Sequence, residues 1–226
     1  MGYYPIFLEL EGKTVLVVGG GSVAQRKIET LLEYGAVINI ISNDLTHKLK
    51  VLVESNKIRF LGNEFTEKDL DGTFLVIAAT DDKQLNHDIS KSARKRALLT
   101  NVVDEPLECN FIVPSIVRIG DLLIAISTAG KSPALAQKIR RELETQFGPE
   151  YKIFLNLMGS LREEILPMGL SQAENSRIFH KIVDSDILKA IVSDDWEEVE
   201  SILSRALPED TALERCLKRV KSSKVL

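Results

Sequence analysis

Apolar positions recur along the chain in two distinct rhythms. Residues 13–21 run Lys-Thr-Val-Leu-Val-Val into three glycines, a near-continuous apolar stretch that predicts a buried strand. Residues 22–34 place Val23, Ile28, Leu31 and Leu32 at helical spacing, with Gly35 as the stop. The pattern then predicts a second strand over 36–41, a helix over 43–55 and a short strand over 58–60. A strong strand over 74–80, a polar helix over 84–96 and a strand over 98–102 follow. Apolar strands alternating with helices predict a parallel sheet covered on both faces.

The rhythm changes after Asp104. Residues 111–117 and 122–127 are strand-like runs separated by Arg-Ile-Gly-Asp, which suits an antiparallel pair rather than another crossover. Residues 132–147 predict a helix with Ser132 as N-cap and Pro133 at its first position. Leu135, Ile139, Leu143 and Phe147 share one stripe of that helix, and Gly148-Pro149 ends it. From residue 150 onward the pattern is helical only. Ser171-x-x-Glu174 reads as a capping box, and the basic residues 218–226 are expected to fray.

Composition narrows the function classes. The chain has 226 residues, with 44% hydrophobic and 27% charged, enough apolar side chains for a core. Lys and Arg total 29 against 33 Asp and Glu, a formal charge of -4, so nucleic acid is not an expected partner. No apolar run approaches the roughly 20 residues of a membrane helix. The N-terminus lacks a basic region ahead of an apolar one, so no secretory signal is expected. Cys109 and Cys216 stand far apart, which predicts two free thiols in a reducing cytoplasm.

The first chemical signal is the glycine loop. Residues 17–24, Val-Val-Gly-Gly-Gly-Ser-Val-Ala, match G-x-G-x-x-A between a predicted strand and a predicted helix, the context a dinucleotide site requires. Gly19 permits the tight turn, Gly21 lets backbone approach a pyrophosphate, and Ala24 lets the helix pack on the strand. Gly20, Ser22 and Val23 complete the cradle at the helix N-terminus. The acid that usually closes the second strand and binds the ribose is replaced by Ser42. Asn43 or Asp44 can serve the ribose from the loop, or Asp44 can cap the next helix. With no Arg or Lys at that strand end to meet a 2′-phosphate, NAD is favoured over NADP.

Further stretches follow in order: Ala78-Ala79-Thr80-Asp81-Asp82, Asn101-Val102-Val103-Asp104, Phe111-Ile112-Val113-Pro114-Ser115, and residues 127–136, Ser-Thr-Ala-Gly-Lys-Ser-Pro-Ala-Leu-Ala. With residues 17–27, Val-Val-Gly-Gly-Gly-Ser-Val-Ala-Gln-Arg-Lys, and the opening Pro-Ile-Phe-Leu-Glu-Leu, the chain resembles the precorrin-2 dehydrogenase family over at least residues 4–143. That family includes stand-alone dehydrogenases, bifunctional dehydrogenase/ferrochelatases and the N-terminal part of multifunctional siroheme synthases. The resemblance implies an α/β fold in three parts. These are an NAD-binding Rossmann-like domain over 1–113, a small central α+β dimerisation and substrate region over 114–148, and a helical C-terminal domain over 149–226. It implies a cytoplasmic homodimer in which NAD+ takes a hydride from precorrin-2 to give sirohydrochlorin, with Fe2+ then inserted in bifunctional members. It also implies that the methyltransferase of the multifunctional synthases is missing.

The residues can be weighed against that chemistry. Asp104 follows a predicted strand at the carboxyl edge of the sheet and matches the family's catalytic Asp, which makes it the candidate general base or proton shuttle. Its other reading is a turn-forming Asp ahead of Glu105-Pro106. Asn101 holds either the cofactor or the loop. Thr80 and Asp81 border the cofactor in the family; with Asp82, their other reading is helix capping. For a polycarboxylate substrate, the resemblance points to Thr128, Gly130, Lys131 and Ser132 before a helix N-terminus. Lys138, Arg140 and Arg141 solvate a helix face. His47, His87 and His180 are isolated, so no protein-held metal is expected. Two other classes share part of the pattern: an NAD-sensing module of the transporter-gating type, and a chelatase without dehydrogenase activity.

Overall fold

The computed structural model describes residues 2–223, with side chains through residue 221. It divides into two compact units, Met1–Val113 and Pro114–Leu226.

In the first unit, five parallel strands take the order β3-β2-β1-β4-β5. They are β1 (Thr14–Val18), β2 (Val37–Ile41), β3 (Arg59–Gly62), β4 (Leu75–Ala78) and β5 (Leu99–Val102). Helices α1 (Ser22–Glu33), α2 (His47–Glu54) and α3 (Lys83–Lys95) follow β1, β2 and β4, and a short 3-10 turn, Glu67–Leu70, links β3 to β4. The apolar run of β1 is explained by burial on both faces. Val15 and Val17 pack with Ala24 and Ile28 of α1 and Leu49 of α2, whereas Leu16 and Val18 pack with Ile89 and Ala93 of α3. Leu16 is fully buried, so Leu16→Ala is expected to cost about 2–5 kcal/mol. The strand order reverses between β1 and β4, and open sheets of this class bind ligands beyond the strand ends at that point.

Helix α2 starts later than the sequence pattern predicts. Its N-cap is Thr46, whose hydroxyl accepts from the Leu49 N–H at 3.3 Å, so Asp44 does not cap it. Residues 42–45 form a loop instead, in which the Ser42 hydroxyl donates to the Asp44 carbonyl at 2.6 Å. That local bond competes with helix formation.

The second unit begins with an antiparallel pair, β6 (Ser115–Ile119) and β7 (Leu122–Ile126). The expected strand over 111–117 starts only after Pro114, and Arg118 and Ile119 extend β6 into the predicted turn. The turn is Gly120-Asp121, with Gly120 at the left-handed φ of +60° that a tight hairpin asks of its first central residue. Helix α4 (Pro133–Gln146) packs on this pair. Its buried residue is Ala136, while Leu135 of the predicted stripe is exposed.

Helices α5 (Glu150–Ile165), α6 (Gln172–Val183), α7 (Ile187–Val192), α8 (Trp196–Ala206) and α9 (Leu213–Ser223) share one apolar core. The capping box at Ser171 and Glu174 is formed, with His180 exposed on α6. The expected fraying from residue 218 is corrected through residue 223. Cys216, Leu217 and Val220 anchor α9 in the core, and Arg215 pairs with Glu164 of α5. Residues 224–226 of that tail lie outside the described residues. Among the described residues, no helix is long and apolar enough to cross a membrane.

Candidate active site

Gly19 turns the chain at the carboxyl end of β1. Its φ of +116° is closed to ordinary side chains, and a Cβ there would stand 2.2 Å from the Ala79 carbonyl oxygen. Its N–H donates to the Ile41 carbonyl at 2.8 Å, tying the turn to the end of β2. Gly20 is closed on its other side, where a Cβ would meet the Asp44 carbonyl oxygen at 2.0 Å. The motif leaves that position unspecified, so the requirement was invisible in the sequence.

Gly21 is the opposite case. Nothing lies within 4 Å of where its Cβ would stand. It is the N-cap of α1, without a side-chain cap and with no acidic residue in the first turn. The N–H groups at Ser22, Val23 and Ala24 therefore lack the usual capping partners and face an open approach, the chemistry of an anion cradle. Ala24 is fully buried against the sheet, as the motif requires. These residues fit the pyrophosphate of a dinucleotide.

Beyond β4 and β5 the chain builds a pocket. Val23, Ala79, Thr80, Asp81, Lys83, Asn86, Val103, Asp104 and Glu105 line it. Val103 donates its N–H to the Ala78 carbonyl at 2.9 Å, which pins the loop after β5 to the end of β4. Asp104 follows in the left-handed region at φ +60°, a conformation Asp tolerates better than most residues, with its side chain exposed at the rim. Lys83 pairs with Glu105 at 3.2 Å, joining α3 to the same loop. Asp82 accepts from the N–H groups of Gln84 and Leu85 at 2.9 and 3.1 Å and is the N-cap of α3. Thr80 and Asp81 remain in the pocket wall.

The structure thus gathers Val23, Thr80, Asp81 and Asp104 in one pocket, with the glycine turn beside Ala79. Asn43 and Asp44 are exposed at the end of β2, on the same sheet edge. Asn101 is outside the pocket wall: its Oδ1 accepts from Lys27 Nζ of α1 at 3.0 Å. Burial and the neighbouring Arg26 push the Lys27 pKa below its ordinary value, while Cys109 and Asp104 oppose the shift. Lys27 and Asn86 were missed by the sequence reading. An Asn and a Lys on amphipathic helices were the available signals, and they read as ordinary solvent-facing residues until burial is known.

Thr128, Gly130, Lys131 and Ser132 belong to the second unit. Ala129 and Gly130 are both left-handed, at φ +52° and +79°. The Thr128 hydroxyl accepts from the Ser132 N–H at 3.1 Å, and the Ser132 hydroxyl accepts from the Leu135 N–H at 3.2 Å. Unlike α1, helix α4 has its N-terminal donors engaged by its own side chains. Lys131 is exposed beside this turn.

Comparison with known proteins follows these boundaries. Residues 6–115 match the family described as NAD(P)-binding, and residues 120–146 match the sirohaem biosynthesis protein central family. The chain is 37% identical over 207 residues to a siroheme synthase of Photorhabdus laumondii, covering 92% of this chain and 44% of that protein. It is 37% identical over 211 residues to a siroheme synthase of Zymomonas mobilis, covering 93% of this chain and 45% of that protein. The chain therefore spans less than half the length of these relatives. The solved structure of SirC, precorrin-2 dehydrogenase, superposes with a TM-score of 0.72 at 27% identity, covering 88% of this chain and all of the other.

Proposed function

The chain belongs to the family of sirohaem-biosynthesis proteins, whose NAD(P)-binding and central segments it carries in order, and from that premise we propose that it is an NAD-dependent precorrin-2 dehydrogenase. The observation that carries this reading is the shared pocket: Val23, in the uncapped first turn of α1, and the Asp104 carboxylate line the same cavity.

Oxidation of precorrin-2 to sirohydrochlorin removes one hydride and one proton. When bound, NAD+ supplies the two-electron acceptor. The first turn of α1 would hold the pyrophosphate, and Thr80 and Asp81 would border the cofactor. Asp104 accepts the proton at its carboxylate. At the end of β2, residues 42–46 include Asp44 and no Lys or Arg, which supports NAD over NADP.

The substrate is a tetrapyrrole polycarboxylate, for which Lys131 supplies a positive charge at the turn containing Thr128, Gly130 and Ser132. Fe2+ is a second substrate inserted after oxidation, with Asp104 accepting in turn the protons that insertion releases. The same reading takes the protein as a homodimer. The two unpaired cysteines support a cytoplasmic location. The central segment 114–148 and the helical segment 149–226 are separate functional parts of the second unit.

The test is an anaerobic incubation with precorrin-2 and NAD+, following NADH and sirohydrochlorin absorbance. Equal formation of both is expected, and Fe2+ added afterwards is expected to give siroheme. NAD+ binding without NADH formation favours a sensing module and overturns the reading. Metal insertion without NADH favours the chelatase.

A further inference from the structure

Lys27 stands in the second turn of α1, one turn beyond Val23 of the pocket wall. Its side chain crosses to β5, where the ammonium donates to Asn101 Oδ1 at 3.0 Å. The other half of that amide continues the connection, with Asn101 Nδ2 donating to the Phe111 carbonyl at 3.4 Å and to Cys109 Sγ at 3.6 Å. Cys109 Sγ accepts from the Val102 N–H at 3.2 Å, and its thiol reaches the carbonyls of Val102 at 3.3 Å and Glu105 at 3.5 Å. Val102 and Glu105 bracket Val103 and Asp104. The turn that presents the Asp104 carboxylate is therefore closed from behind by a thiol, the thiol is oriented by an amide, and the amide is oriented by a half-buried ammonium.

We propose that Lys27 is a positioning residue for the dehydrogenation: through Asn101 and Cys109 it fixes the left-handed turn that holds Asp104 at the pocket. The proposal rests on the role given to Asp104 above. A methionine would fill the same space without the burial penalty and the repulsion from Arg26 that disfavour the ammonium there. The gain from the charge is local order. It supplies the Asn101 oxygen with a charge-assisted hydrogen bond. Asn101 could otherwise rotate its amide and release Cys109. Displacing a reacting group by about 1 Å can cost about a hundredfold in rate, so a small loosening of this turn is enough to matter.

The experiment compares wild type with Lys27→Met and Lys27→Arg, using native-state hydrogen exchange and steady-state kinetics. In Lys27→Met, exchange across residues 102–109 is expected to accelerate roughly tenfold, because the local opening energy falls. Its kcat is expected to fall by about 10- to 100-fold, with the KM for NAD+ little changed. Lys27→Arg keeps the charge and the donor, and is expected to restore both readouts most of the way. Unchanged exchange over 102–109 in Lys27→Met overturns the proposal whatever the activity. Faster exchange with an unaltered kcat overturns it as well, because the turn would be ordered for no catalytic purpose. If Lys27→Met fails to fold, Asn101→Ser interrupts the same chain of contacts and is expected to give the same local acceleration; normal exchange there overturns the proposal. A wild type that forms no NADH from precorrin-2, yet shows the Lys27-dependent exchange, refutes the assigned reaction and leaves the ordering of the turn supported.

Discussion

The Asn86 side-chain amide is bonded to Thr80 in both directions: Oδ1 accepts from the Thr80 hydroxyl at 2.8 Å and its N–H at 3.3 Å, and Nδ2 donates to the Thr80 carbonyl at 2.9 Å. Asn86 is 3% exposed, so water cannot replace it easily. Asn86→Ala leaves the Thr80 backbone groups without these partners, at a cost of about 1–3 kcal/mol. The expected result is a Tm lowered by at least roughly 2 °C, together with weaker NAD+ binding, because Thr80 is part of the pocket wall. Calorimetry with and without NAD+ checks both.

The glycines of the loop separate folding from binding. Gly19→Ala places a Cβ 2.2 Å from a backbone carbonyl at a φ of +116° and is expected to destabilise the first unit. Gly21→Ala meets no atom within 4 Å. It is expected to fold with a Tm close to wild type. The added methyl obstructs the α1 N-terminus, and losing one hydrogen bond to a charged phosphate is worth about 1.5–3 kcal/mol, or at least roughly tenfold in Kd. Titrating NAD+ into the two variants tells the roles apart; equal affinity in Gly21→Ala and wild type refutes the cradle.

At Asp104 the informative substitution is asparagine. Asn tolerates the left-handed region nearly as well as Asp, so the turn at φ +60° is kept and only the charge is removed. Asp104→Asn is expected to bind NAD+ normally while kcat falls by about 10²–10⁴, the usual worth of a general base. Asp104→Ala adds backbone strain and confounds the two effects. Stopped-flow NADH formation by the asparagine variant is the direct check, and an unimpaired rate refutes the base assignment.

Much of the first unit was legible because β1 and β4 are buried on both faces and the helices between them have apolar stripes. The glycine turn was legible because its requirements are steric. The start of α2 was misread because Ser42 bonds the Asp44 carbonyl, a side-chain choice that periodicity does not register. The tail from residue 218 was misread because basic residues flank Val220, which continues the apolar stripe of Cys216 and Leu217 that seats α9. Lys27 was missed because a helical lysine ordinarily faces water, and its contact with Asn101 spans 74 residues of sequence.

A pH dependence follows from His87 and Glu108. His87 Nδ1 lies 2.9 Å from a Glu108 carboxylate oxygen, joining α3 to the segment after Asp104. That contact, followed by Ser90, holds the Glu108 carboxyl below its ordinary 4.5. A carboxyl depressed in the folded state stabilises the fold above its unfolded pKa and loses that contribution as pH falls through the folded value. The contribution is therefore complete at neutral pH and is lost on acidification below 4.5. In a carbon-13 titration, His87→Ala is expected to move the Glu108 midpoint upward. An unmoved midpoint removes His87 as the cause.

The proposed preference for NAD over NADP is tested at the end of β2. The Asp44 backbone is held from two sides, by the Ser42 hydroxyl at 2.6 Å and by Gly20, which leaves no room for a Cβ against the Asp44 carbonyl. The Asp44 side chain can therefore be changed without moving the loop. Its carboxylate is exposed where the adenosine ribose is proposed to lie. A 2′-phosphate brought to about 5 Å from it meets repulsion of roughly 1–3 kcal/mol per charge between the water and protein-surface limits of dielectric constant. A hydroxyl can instead donate to the carboxylate. Wild type is expected to bind NAD+ at least roughly tenfold more tightly than NADP+. Asp44→Asn removes the repulsion and is expected to narrow the gap. Asp44→Arg adds a bidentate phosphate partner and is expected to bring NADP+ level with or ahead of NAD+. Dissociation constants for both cofactors across the three proteins check this, and equal affinities in wild type overturn the assignment of the ribose site to Asp44.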